Sequence, residues 1–390
     1  MYTQTKYITL ITGLLMLASL SSVTAQRPTP TPRPRPHPLN LQAGAVYVLT
    51  NQVENAVAVF RRTPDGHLTA AGEFSTGGAG NPVAIPPDPP VDPLASQGAL
   101  IFGPGNRFLF AVNAGSNEIS VLSVGRSGLN LIDVVDSGGV RPISLTVRDD
   151  LLYVLNEGGT PNITGFTIGG DGTLSPLAGS TQPLVGGAAA DPAQVSFNPD
   201  RTLLVVTEKL GNRLDTYLVD QNGLASTPID NSSSGMTPFG FSFSDSNFLV
   251  VSEAFALMPG QAAASSYSSN PAGILSVVTG SLHNNQTASC WVVITNDGAL
   301  AIVSNTASGT ISTYNVGNDG TLTLANSVAA DLGPKSAPRD TALSNNGQIL
   351  FVQTEGGQSV AVFHIENNGA LTPIDTAAGL PFGAQGIAAR

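Results

Sequence analysis

One phrase recurs seven times along the chain and constrains its fold more than any other feature. A glycine preceded by a short polar run is followed within two residues by leucine. The copies are Gly66-His67-Leu68, Gly128-Leu129, Gly172-Thr173-Leu174, Gly223-Leu224, Gly273-Ile274-Leu275, Gly320-Thr321-Leu322 and Gly369-Ala370-Leu371. They stand roughly 45–50 residues apart, with one longer gap after the first. A period of that length, built from short alternating strands, marks the blades of a β-propeller. Paired apolar runs precede each turn: 45–49 with 56–60, 108–112 with 119–124, 151–155 with 163–168, 203–206 with 214–219, 248–251 with a short strand near Tyr267, 300–303 with 311–316, and 349–352 with 360–365. The second run of each pair alternates, as a half-wetted strand should. Seven turns and seven pairs predict an all-β, seven-bladed β-propeller of four-stranded antiparallel blades. The first unit begins at its second strand, and residues 385–389 have no blade of their own. The C-terminal strand is therefore expected to join the first blade and close the ring, which removes exposed sheet edges.

Length alone, 390 residues, would suggest two or three domains, but stacked blades make one. Residues 1–25 read as a signal peptide. Lys6 is the only charge before an apolar run from Ile8 to Leu20, and Val23-Thr24-Ala25 offers a small-residue cleavage site. Residues 26–42 are a Pro-rich linker and residues 43–390 the propeller. The mature chain is expected to be secreted or periplasmic, with no membrane span. Cys290 is the only cysteine, so no internal disulfide supports the exported fold. Four of the 16 basic residues (Lys6, Arg27, Arg33, Arg35) precede the propeller and none of the 27 acids does, leaving it near −15. Such a surface repels nucleic acid and anionic membranes. Two insertions stand out: residues 77–96, between an outer strand and the next inner strand, and residues 254–264, between a second and a third strand. Both connection types emerge on one face of a propeller, where they can form a lid over the central funnel.

A position after each second strand holds Asn51, Ala114, Glu157, Glu208, Glu253, Asn305 and Glu355. In a propeller these point to the funnel mouth, where clustered carboxylates raise one another's pKa values and attract cations. A second set, at the starts of the inner strands, holds Arg141, Gln194, Phe239, Trp291 and Arg339. Cation, amide and aromatic together suit a polar small-molecule pocket. A Glu or Asn there also serves to cap turns or pair with a neighbouring blade, and Phe239 and Trp291 also serve as core plugs. None of His37, His67, His283 and His364 falls on the inferred funnel face. No metal site and no cofactor are expected.

The repeat, the blade count and the run Arg141-Pro142-Ile143-Ser144-Leu145 through Tyr153-Val154-Leu155-Asn156-Glu157 resemble the lactonase-type seven-bladed propellers, which include 6-phosphogluconolactonase-like and carboxymuconate-cyclase-like enzymes. Pro192-Ala193-Gln194-Val195, Val206-Thr207-Glu208-Lys209, Thr237-Pro238-Phe239-Gly240-Phe241, Val251-Ser252-Glu253-Ala254-Phe255 and Ser289-Cys290-Trp291-Val292-Val293 look like a secreted, divergent branch. The resemblance implies Arg141 and Glu157 as catalytic residues, with Lys209 replacing a second arginine. The family's histidine after the arginine is Pro142 here. Pro338-Arg339 with Glu355 is a competing match, with Asp340 in the histidine position. The implied chemistry is hydrolysis or cyclisation of a small lactone or sugar acid in the central funnel. Arg141 and Lys209 would stabilise an oxyanion and Glu157 would act as base, with Glu208, Glu253, Gln194, Phe239, Trp291, Arg339 and Glu355 lining the pocket. The alternative is a non-catalytic extracytoplasmic binding or scaffold propeller that lost the histidine. A quinone-dependent dehydrogenase is disfavoured by the 6% aromatic content and the lack of a Ca²⁺ loop.

Overall fold

The computed structural model describes residues 43–82, 92–126 and 128–390. The expected signal peptide and the Pro-rich linker up to residue 42 lie outside the described residues, as does the Pro86–Pro90 run of the first insertion.

Seven antiparallel sheets follow one another along the chain, each adding strands outward from an axis. Blade 2 runs Leu100–Phe102, Phe108–Asn113, Glu118–Gly125 and Gly128–Asp136; blade 3 runs Val140–Arg148, Leu151–Gly158, Asn162–Ile168 and Leu174–Pro176, with Gln182–Pro183 added. Blade 4 runs Pro192–Phe197, Leu203–Glu208, Arg213–Leu218 and Ile229–Ser232; blade 5 runs Pro238–Phe243, Leu249–Glu253, Ala263–Ser269 and Leu275–His283. Blade 6 runs Ser289–Ile294, Leu300–Asn305, Thr310–Val316 and Leu322–Asp331; blade 7 runs Pro338–Leu343, Ile349–Thr354, Ser359–Ile365 and Leu371–Ala378. In blade 1, Ile387–Ala389 forms the innermost strand, beside Gly44–Leu49, Ala56–Arg62 and Leu68–Ser75. The ring closes as the sequence predicts, with Val46, Tyr47 and Val48 facing Ala389, Ala388 and Ile387.

The recurring glycine has two physical causes. In all seven copies its φ is positive, from +77° to +131°, the left-handed region that the turn into the outer strand requires. The missing Cβ also lets each turn press on the preceding blade. A methyl at Gly172 would lie 2.6 Å from the Phe108 ring, and one at Gly320 would lie 2.4 Å from Phe248. The same contact carries Gly66 of blade 1 onto Ile374 of blade 7, so the repeat is also the ring's joint.

Second strands such as Leu203–Glu208 and Ile349–Thr354 are buried along their whole length, whereas outer strands such as Leu371–Ala378 are largely exposed. Aliphatic residues of facing blades thus form the core. Among the described residues no helix is long and apolar enough to cross a membrane.

Candidate functional site

The inner strands of blades 3 to 7 share an entry that positions the site. Each carries a non-glycine residue at positive φ at its entry, just before the strand in blades 4 to 7 and as the second strand residue in blade 3: Arg141, Asp191, Thr237, Ala288 and Ala337. Each then bulges, because one residue more stands on the inner strand than on its partner, between Pro142 and Ser144, Pro192 and Gln194, Pro238 and Phe241, Ser289 and Trp291, and Pro338 and Thr341. Bulges re-aim side chains. At the bulge, Phe239 and Arg339 are driven inward, buried to 6% and 0% exposure.

The ladder also divides the predicted ring into two positions. Glu208, Glu253 and Asn305 pair with the residue just before the bulge on their inner strands (Pro192, Pro238, Ser289), but so do Asn156 and Thr354 (Pro142, Pro338). Glu157 and Glu355 therefore stand one residue further along, level with Lys209. Successive residues of a strand face opposite sides, so the expected single ring of carboxylates does not exist.

Glu208 and Glu253 are consequently not funnel groups. Glu253 is fully buried and accepts from the Gly235 N–H (2.8 Å), Ser265 Oγ (2.5 Å) and Ser281 Oγ (2.8 Å), which offset the burial that raises its pKa. Glu208 accepts from the Gly186 N–H at 2.9 Å. Beside it Asp215, held by the Val185 N–H at 2.8 Å, is pushed up to about 8 by burial and by its hydrogen bond to Glu208. An acid whose folded pKa exceeds its ordinary 3.8 binds a proton that the unfolded chain releases. Stability from Asp215 is thus full below pH 4 and is lost as pH rises toward about 8, by up to about 1.4 kcal/mol per unit. Asp215→Asn is expected to flatten that decline. Urea midpoints at pH 5 and pH 9 check it, and an equal slope in the variant refutes it.

The other predicted pocket residues also serve the framework. Gln194 bridges blades 4 and 5, donating from Nε2 to Phe241 O (3.0 Å) while its Oε1 accepts from the Phe241 N–H (2.7 Å). Arg339 and Glu355 meet at 2.9 Å, both 1% exposed, and Glu355 also accepts from the Gly383 N–H. Trp291 and Phe239 pack with centroids 5.0 Å apart in an apolar cluster that includes Cys290, whose thiol burial pushes up to about 12.

Arg141 meets Glu157, whereas Lys209 pairs with a different carboxylate and reaches Glu157 only through its charge. Arg141 Nη1 lies 2.9 Å from Glu157 Oε2, with the side chains 35% and 15% exposed. Lys209 Nζ lies 3.2 Å from Asp191 Oδ1. Arg141 and Asp191 occupy the same entry position in adjacent blades, and Glu157 and Lys209 the same ring position. The two blades thus present one ion pair with its polarity inverted. Burial raises the Glu157 pKa, the Arg141 and Lys209 charges oppose that rise, and Asp191 and Asp92 add to it. Asp191 lies outside the site that the sequence predicts. Its signal was the position it shares with Arg141.

Residues 92–96, the end of the first insertion, cross the funnel as the sequence suggested a lid would. Arg141 Nη2 donates to Pro93 O (2.7 Å), Lys209 Nζ to Ala95 O (2.9 Å), and Trp291 Nε1 to Ser96 O (2.8 Å). Lys209 Nζ also donates to Pro192 O at 3.0 Å. With Asp191 these contacts use all three protons of the ammonium. Below this segment a cavity of about 280 Å³ follows the axis, lined by Gln97, Thr146, Gln194, Ser196, Asp340 and Thr341. Burial pushes Asp340 up to about 7. A second cavity, about 530 Å³, lies between the outer strands of blades 6 and 7, with Asp331 the one ionisable side chain of its lining, and is remote from this chemistry. Among the described residues no group of three or more His, Cys, Asp or Glu could hold a metal ion.

No curated protein matches the chain. Among solved structures, a periplasmic gluconolactonase of Pseudomonas aeruginosa is similar at 17% identity and TM-score 0.67, over 88% of this chain and 99% of that one. A Lactobacillus plantarum protein is similar at 16% identity and TM-score 0.69, over 90% and 100%. A Bacteroides fragilis protein described as a candidate 6-phosphogluconolactonase is similar at 19% and TM-score 0.66, over 91% and 100%. At these identities the likeness is one of fold. The family model described as lactonase, 7-bladed beta-propeller matches residues 99–255 and 261–388. The chain belongs to that lactonase family of seven-bladed β-propellers.

Proposed function

We propose that this protein is an exported hydrolase of small lactones of the sugar-acid type, acting at the funnel rim of blades 3 and 4. The observation that carries the reading is the Arg141–Glu157 pair: a carboxylate raised by burial, 2.9 Å from a guanidinium, in side chains that stay partly open to solvent. Glu157 takes a proton from water, and the hydroxide adds to the lactone carbonyl. Arg141 stabilises the oxyanion. The ring C–O bond then breaks, and the proton held by Glu157 passes to the departing alkoxide, leaving a hydroxy acid that releases its carboxyl proton to solvent and presents the carboxylate to Arg141. The family fold and the gluconolactonase among its structural relatives support the substrate class.

Glu157→Gln is expected to lower kcat/KM by ~10²–10⁴-fold in acid release from sugar lactones. Because Glu157 works deprotonated and its pKa is raised, wild-type kcat/KM should rise with pH through a value above the ordinary carboxylate range. Turnover unaltered in the variant removes Glu157 from the mechanism.

A non-catalytic binding propeller is the second reading. It is favoured by Pro142 in the histidine position, on a rung of the ladder opposite Asn156, and by the committed protons of Lys209. Folded protein without turnover on any lactone supports it.

A further inference from the structure

Two residues expected to hold a substrate carbonyl, and one expected to line the pocket, already hold carbonyls of their own chain. Arg141, Lys209 and Trp291, from blades 3, 4 and 6, donate to Pro93, Ala95 and Ser96 respectively. The remaining contacts fit the segment as closely. Asp92 Oδ1 accepts from the Leu94 and Ala95 N–H groups (3.1 and 2.7 Å), and Asp92 Oδ2 accepts from Gln385 Nε2 at 3.2 Å. Gln385 Nε2 also donates to Ser96 O at 2.7 Å. Leu94 is fully buried. The Gln97 N–H donates to Ala193 O, and its side-chain amide pairs with both main-chain groups of Val292 at 2.8 and 3.0 Å, so one residue bridges blades 4 and 6. Gly240 makes room for it, since a methyl there would lie 2.1 Å from Gln97 Oε1.

An ammonium has three protons and an indole one. With Lys209 and Trp291 occupied in this way, neither can polarise a lactone. We propose that residues 92–96 are an intramolecular occupant of the lactone site, and that a substrate carbonyl reaches Lys209 only when they withdraw. This rests on the reading of the rim as a lactone site. The Ala95 carbonyl stands in for the substrate carbonyl, and the chain as described is the self-inhibited form. The occupant is held by discrete polar contacts, several of them to side chains the chemistry does not use. It can therefore be loosened by substitutions that leave Arg141, Glu157 and Lys209 themselves in place.

The experiment compares the full chain with Leu94→Ala, which removes the buried anchor and leaves every charge beside Glu157 in place, and with Asp92→Ala, which removes the acceptor of two amides, the Gln385 contact and one charge that raises the Glu157 pKa. D-glucono-1,5-lactone is the probe. Hydrogen exchange at the Gln97 amide reports whether the segment has loosened, and thermal unfolding reports the fold. The expected result is a tenfold or larger gain in kcat/KM in both variants, with faster Gln97 exchange and a retained melting transition. Equal turnover in wild type and loosened variants overturns the occupant and leaves the hydrolase standing. If neither turns over, calorimetric titration with D-gluconate decides. Binding gained only on loosening keeps the occupant and overturns the hydrolase, whereas no binding in any form overturns both.

Discussion

A chain ending at Gln385 is expected to lose most of its folding stability and to associate through an exposed sheet edge. The removed residues supply the innermost strand of blade 1. Ala45 and Arg390 exchange two main-chain hydrogen bonds (3.1 and 3.0 Å), Leu49 donates to Gly386 O at 3.0 Å, and three ladder pairs lie between. At about 1 kcal/mol per bond these contribute roughly 3 kcal/mol, before the ladder bonds are added. Burial of Ile387 against the aliphatic face of Val46 and Val48 contributes about 2 kcal/mol more. The sum approaches the whole stability of a typical domain, about 5–15 kcal/mol. The loss is also topological, since an open ring exposes the unpaired groups of Gly44–Leu49 on one side. Urea unfolding followed by circular dichroism, with size exclusion at two concentrations, measures both effects. A truncated chain with an unchanged midpoint would show that blade 1 holds without its closing strand.

The blades were legible because their cause is local. The turn glycine is visible wherever a positive φ and a close approach coincide, and ring closure follows from counting strands that lack a blade. The rim was legible only in part. Glu157 and Glu208 both end a second strand, yet ladder pairing puts Asn156, not Glu157, level with Glu208. A shift of one residue turns a funnel carboxylate into an inter-blade one, and no composition or spacing distinguishes them. The inner-strand bulges had the same effect on Arg339 and Phe239, sending inward two side chains that the sequence placed beside Arg141. The partners of residues 92–97 were beyond reach for a different reason. Gln97 and Val292 are joined across the axis by an amide, and a 195-residue separation leaves no periodic trace. Arg141 and Glu157, which the family resemblance singled out, form an ion pair, because resemblance carries register from chains whose ladders are already formed.

The two arginine–glutamate pairs, competing matches to the family, are expected to behave in opposite ways when broken. Arg339→Ala should cost about 3–5 kcal/mol, because it strands Glu355 in a site where each side chain is 1% exposed. Burial already raises the Glu355 pKa, with the Arg339 charge holding it down. Without that charge Glu355 takes up a proton on folding that the unfolded chain does not hold. The sign follows from linkage: the variant's deficit should grow as pH rises above the ordinary carboxylate range and shrink below it. Adding Glu355→Gln should recover part of the loss and remove the pH dependence, since the amide still accepts from the Gly383 N–H. Arg141→Ala, by contrast, breaks a pair whose arginine is 35% exposed, where solvent screens the charge, and should cost under about 1 kcal/mol. Its effect should appear in lactone turnover instead. Urea unfolding of the three variants at pH 5 and pH 8 tests the contrast. Equal losses at Arg339 and Arg141 would mean that the blade 3 pair also serves the framework, and Glu157 would then lose its claim to be the base.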